Sequence, residues 1–250
     1  MKLVPQTRSS ELTDKLNSVL HRAIFADRNS FEMRALKREC EQVRDVDPAV
    51  GWGLLGSYNG LLGDIEEAAR CYKASLALAN NPIVHLNYYA AMGNLGYFSM
   101  AHDYFLEVSK PELGNLSSLI SNAESMGSFQ TIVQRVEQAE AMNLQPKLQL
   151  NGSFLKAVRV LRKVDLSDEF VVRHLDAVGD VLREAKMFAD GDMEVDACDI
   201  DGVFVGVTCI FRVDGTALEV FELNQQLAKA ERVRSIEKHL AFDVMFKPAA

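Results

Sequence analysis

The sequence predicts an α+β protein: an N-terminal all-α array of helix pairs followed by a small α-β-β-α-β domain with a three-stranded antiparallel sheet. Three observations predict it. Apolar residues recur at helical spacing through residues 1–148, and Pro48, Pro82, Pro111 and Pro146 punctuate them. Part of that half repeats itself, since Gly96, Phe98, Ala101 and Phe105 match Gly63, Ile65, Ala68 and Tyr72 at a constant offset of 33 residues. The period then changes to two at Met193, where Val195 and Ala197 alternate with Glu194 and Asp196. The boundaries that follow are 1–148 for the helical array, 149–166 for a linking helix and 167–250 for the α+β domain.

In chain order, residues 1–8 read as a lead-in, and Leu12, Leu16, Val19, Ala23 and Ile24 form the first stripe. Asn29 or Ser30 caps a second helix carrying Met33, Leu36, Cys40 and Val43, which Asp47-Pro48 ends. The second pair spans Trp52 to Pro82, with Gly56 allowing close helix approach and Gly63 the turn. The third runs from Pro82 to about Lys110. A fourth reaches Pro146, where Gly127-Ser128-Phe129 echoes Gly96-Tyr97-Phe98 and Ile132, Val136 and Ala139 continue the stripe.

Trp52, Leu55, Gly56, Gly63, Ala68, Tyr72 and Pro82 together resemble a tetratricopeptide repeat, W-x2-L-G with a turn glycine, A-x3-aromatic and a closing proline. Asn59 departs from the pattern where an aromatic is usual. The resemblance implies about four stacked helix pairs, the outer two divergent, with a concave face lined by the first helix of each pair. It also implies where a partner segment would lie: Arg22, Phe25 and Asn29 in the first unit, Ser57 and Leu61 in the second, Asn87 and Asn94 in the third, Ser121 and Glu124 in the fourth. Ser57 and Ala90 stand where asparagines would help to grip a terminal carboxylate, so a carboxylate-clamp groove is disfavoured.

In the linking helix, Phe154, Leu155, Val158 and Leu161 are flanked by Lys156, Arg159, Arg162 and Lys163, which read as a solvated face of a helix that can pack on the last repeat, with a basic patch for a nucleic acid or acidic partner as the alternative. Ser167 opens a helix through Val171, Leu175, Val178 and Leu182. Asp201-Gly202 signals a hairpin into a strand over 203–213. Thr216 and Glu219 form a capping box for a helix, and Leu240, Phe242, Val244 and Phe246 alternate as the last strand. With the first strand set between the other two, the sheet is fully antiparallel. One face then carries Asp192, Glu194, Asp196, Phe204, Thr208, Ile210, Asp243 and Met245. Carboxylates beside Phe204 and Ile210 suit a basic, partly apolar partner surface.

The net charge of −8 disfavours a broad nucleic-acid surface. Cys40, Cys71, Cys198 and Cys209 form no CxxC or Cys/His cluster, which fits a reducing compartment and gives no support to a metal site. The five histidines are scattered, and no nucleophile-elbow, phosphate-loop or dinucleotide motif occurs. The acids from Asp190 to Asp201 lack the glycine and closing glutamate of a calcium loop. No catalytic residue, cofactor or metal is therefore expected. The expectation is a cytoplasmic adaptor, bacterial in its compactness, with a protein partner, no membrane contact and room for self-association. In its specific form it is an antitoxin or immunity-type protein covering a basic partner. The alternatives are an enzyme, or a nucleic-acid-associated regulator, with the repeats as recruitment module.

Overall fold

The computed structural model describes residues 5–114, 116–144, 150–189, 193–200 and 203–249, without the side chains of 5–8, 118, 121 and 122. The chain divides into two compact units, residues 1–95 with 186–188, and 96–185 with 189–250.

The first unit holds α1 (Pro5–Leu20), α2 (Phe31–Val46), α3 (Pro48–Leu61), α4 (Ile65–Leu78) and α5 (Pro82–Asn94). Helix ends follow local chemistry. Ser30, not Asn29, caps α2 by accepting from Met33 N–H, and Asp47 both ends α2 and caps α3 by accepting from Val50 N–H. α3 is apolar almost all round because α1, α2, α4 and α5 all pack on it. The ring of Tyr72 fills the space a Cβ on Gly56 would need, at 2.8 Å, so α3 and α4 approach closely there. Tyr72 in turn stacks on Tyr88 of α5, ring centroids 5.3 Å apart. The guanidiniums of Arg44 and Arg70 lie over the Trp52 ring, 5.3 and 5.1 Å from its centre.

Two expectations at the N-terminus are corrected. Helix α1 already includes residues 5–8, and it stops at Leu20, before Ala23 and Ile24. Ala23 takes a positive φ of 57°, and Ile24 instead makes an antiparallel bridge to Met187. Phe25 N–H donates to Lys186 O at 2.8 Å and Phe188 N–H to Ala23 O at 3.0 Å. A strand-like clip, Lys186–Phe188, thus belongs to the helical unit, with the Phe188 ring 4.9 Å from that of Phe25.

The second unit holds α6 (Phe98–Val108), a 3-10 turn (Pro111–Leu113), α7 (Leu116–Ala123), α8 (Phe129–Ala141), α9 (Gly152–Lys163), α10 (Asp168–Glu184), β1 (Met193–Ile200), β2 (Phe204–Val213), α11 (Ala217–Val233) and β3 (Phe242–Pro248). α10 packs on α6, α8, α11 and β3, which draws α6 to α8 into one unit with the sheet, although the change of period falls later in the chain. The Thr216–Glu219 capping box forms as expected.

The sheet is mixed, in the order β1-β2-β3, with β1 antiparallel and β3 parallel to β2. This overturns the fully antiparallel arrangement with β1 in the centre. The hairpin keeps β1 beside β2, and the α11 crossover brings β3 back parallel on the other side of β2. β2 takes the centre because it is the strand buried on both faces, from Val207 and Cys209 on one to Ile210 on the other. Leu240 is 98 % exposed and lies before β3, so the last strand begins at Phe242.

Candidate functional site

In the helical unit, α3 and α5 bring Ser57, Leu61, Asn87 and Asn94 to one cavity of about 120 Å³, which Leu20 and Phe188 also line. The Ser57 hydroxyl and the Tyr72 phenol are 3.0 Å apart. Tyr72 is fully buried, and that burial pushes its phenol well above the usual range. The wall is apolar, with Asn17, Asn87 and Asn94 supplying amide donors and acceptors and no charged side chain in the lining. Such a surface suits an uncharged extended backbone rather than a carboxylate.

The other expected groove residues lie elsewhere in that unit. Arg22 is held by Glu32 through two 2.7 Å hydrogen bonds. Phe25 packs on Phe188, and a Cβ on Gly63 would lie 2.5 Å from its ring. Asn29 is exposed in the turn before α2, its N–H donating to the Asp27 carboxylate. The Ser121 side chain lies outside the described residues, as do Asp192 and the Asp201-Gly202 turn.

In the second unit, Glu124, Glu194 and Asp196 line one cleft of about 470 Å³ with Phe154, Met193 and Val195. Glu194 is bonded by Arg212 at 2.7 Å. Phe204 is half exposed, and its ring lies 2.8 Å from where a Cβ on Gly206 would stand. Ile210 is 2 % exposed, so it is part of the packing rather than of a surface.

Several organising residues carry no legible sequence signal. Asn17 and Phe188 reach the first cavity from stretches that read as scaffold or loop. Asp168, 4 % exposed, accepts from Gln130 N–H at 2.9 Å and Thr131 N–H at 2.8 Å, capping α8 from another helix. Fully buried His174 meets Glu231 at 3.1 Å, and Lys238 bonds the same carboxylate at 2.5 Å. Burial pushes the Glu231 carboxyl up, but His174 and Lys238 outweigh it and hold it below its ordinary value of 4.5. A depressed carboxyl contributes stability that is present above its unfolded pKa and lost as pH falls through the folded one. Glu231→Gln should therefore cost about 2 kcal/mol at about pH 7 and progressively less toward about pH 3. Urea denaturation of both proteins across that range checks it.

Burial mutes two of the cysteines, pushing the Cys40 thiol up to about 12 and that of Cys209 higher still. Among the described residues, no cluster of three or more His, Cys, Asp or Glu is placed to hold a metal ion, and no helix is long and apolar enough to cross a membrane. What the geometry defines is an α+β protein in which ten helices precede a small mixed sheet and α11 lies within it, with a neutral concavity in the first unit and an acidic one in the second among those the described residues line. Comparison with family models, curated proteins and solved structures finds no match for the chain.

Proposed function

We propose that the chain is a cytoplasmic protein-binding adaptor of tetratricopeptide type, whose concave helical surface takes an extended, uncharged segment of a partner protein. The observation that carries this reading is convergence. Ser57, Leu61, Asn87 and Asn94 are the positions that repeat register selects in the second and third units, and they meet at one cavity lined from α1, α3 and α5. The packing of α1 on α3 and of α3 on α5 is what stacked helix pairs require. The acidic cleft of the second unit supports the more specific version, in which the partner is basic, as for an antitoxin or immunity protein.

Peptide selection on the immobilised full chain tests the groove. A selected consensus peptide should lose at least about tenfold in affinity on the double change Asn87→Ala, Asn94→Ala, because two half-buried amide partners disappear. Unchanged affinity in the double variant, with fold retained by circular dichroism, would sink the groove reading.

A further inference from the structure

The two edges of the sheet are treated differently. Val207 N–H donates to Ala241 O and Ala249 N–H to Val213 O, both at 2.9 Å, so the odd-numbered residues of β2 aim their backbone at β3. The even-numbered ones aim at β1, where Thr208 faces Asp196 and Ile210 faces Glu194. Alternation then turns the N–H and C=O groups of Met193, Val195 and Ala197 outward. Among the described residues, these outward groups meet no backbone or side-chain partner. The opposite edge is occupied on both sides of Val244: the Asn224 amide donates to Phe246 O and accepts from Phe246 N–H, at 3.0 and 2.9 Å, and His239 O accepts from Phe242 N–H. Sheet edges left bare invite another strand, which is why proteins usually cover them.

Among the described residues this edge has no strand beside it; α9 packs on β1, and the start of α9 shares the acidic cleft with the edge. Four consecutive residues, Met193 to Asp196, line that cleft. Neighbouring side chains on a strand point to opposite faces, so a cleft touched by all four runs along the edge itself. On one side of it stand Glu194 and Asp196, with Glu124 also lining the cleft. On the other are Met193, Val195 and Phe154. Arg212 neutralises Glu194, while Asp196 and Glu124 have no ion pair among the described residues.

We propose that the 193–197 edge of β1 receives an extended basic segment of a partner protein as a fourth strand. The segment alternates lysine or arginine, toward Asp196 and Glu194, with apolar residues toward Val195, Met193 and Phe154. Backbone hydrogen bonds to Val195 supply the register and the carboxylates supply the selectivity. This deepens the reading that the acidic cleft meets a basic partner, and rests on it.

The probe is a labelled eight-residue peptide of alternating lysine and valine, titrated onto the full chain at about 50 mM salt, where charge contacts are least screened. It is expected to bind, and to lose at least tenfold in affinity when its four central amides are N-methylated. Val195→Pro should weaken the parent peptide by a similar factor, because proline removes an outward N–H and leaves the β1–β2 ladder whole. Asp196→Lys should weaken it too. No binding of the unmethylated peptide overturns the proposal. Equal affinity for the methylated peptide also overturns it, and if Asp196→Lys still weakens that binding, the acidic surface meets basic partners without strand addition. The methylated comparison uses the unaltered protein, so it decides the matter even if the proline variant unfolds.

Discussion

Gly179→Ala is expected to destabilise the second unit by at least about 3 kcal/mol, near the top of the usual range for overpacking. A Cβ on Gly179 would collide with Gly96 O and stand 2.8 Å from Gly96 Cα. These are backbone atoms, so no side chain can swing aside. Gly96 itself has a φ of +69°, and a Cβ there would run into the Gly179 Cα, so neither partner has slack. Arg183, one turn further along α10, donates to Gly96 O at 2.5 Å and places its guanidinium 4.0 Å from the Tyr97 ring centre. Forcing α10 away from this turn would break both contacts. Gly152→Ala is the control. It adds a methyl where nothing lies within 4 Å, at the first residue of α9, and should leave stability level or slightly raised. Thermal unfolding of the two variants beside the parent separates a packing collision from a general cost of losing glycine.

Asp168→Ala is expected to cost about 3 kcal/mol, with Asp168→Asn intermediate because its amide keeps one acceptor oxygen. Helix α8 has Ser128 at its N-cap, yet that side chain makes no capping bond. The Ser128 hydroxyl is engaged by His102 Nδ1 at 2.9 Å instead. The second and third N–H groups of α8, from Gln130 and Thr131, would be orphaned were it not for the two oxygens of Asp168. Burial pushes the Asp168 carboxyl up, and these two N–H bonds and the positive end of the α8 dipole work against that shift. Removing the carboxylate strands two donors in a buried place. Faster amide hydrogen exchange in the first turn of α8, beside a lower global stability, would identify loss of the cap. A global fall with unchanged exchange there would refute this role.

How much can be read from the chain depends on whether the signal is periodic. The stripes through α2, α4 and α10 and the alternation at Val195–Ala197 reveal element type and order, because burial repeats at the pitch of the element. Caps at Ser30, Ser167 and Thr216 are legible because capping chemistry is equally local. Sheet order is not. Alternation says which side chains share a face but not which strand lies in the middle, and the double-sided burial of β2 settles that. Of the expected groove positions, Ser57, Leu61, Asn87 and Asn94 do meet at one cavity, because helical spacing carries them to one side of α3 and α5. Arg22 and Asn29 are not brought there, since α1 ends at Leu20 and helical register no longer applies beyond it. Phe188 and Asp168 act across the chain, from 163 and 37–38 residues away from their partners Phe25, Thr131 and Gln130, where no periodic pattern reaches.

The clip at Lys186–Phe188 has a consequence for synthesis. Chains emerge from the ribosome N-terminus first, and early-made domains normally fold before later ones are translated. Here the unit made of the first ninety-five residues is completed by three more that are made only after α6 to α10. Until then Phe25 lacks its ring partner and the 23–25 segment has no strand to bridge. A fragment cut at residue 95 would be born with that gap, and restoring the 186–188 tripeptide on a short linker is the repair its architecture calls for.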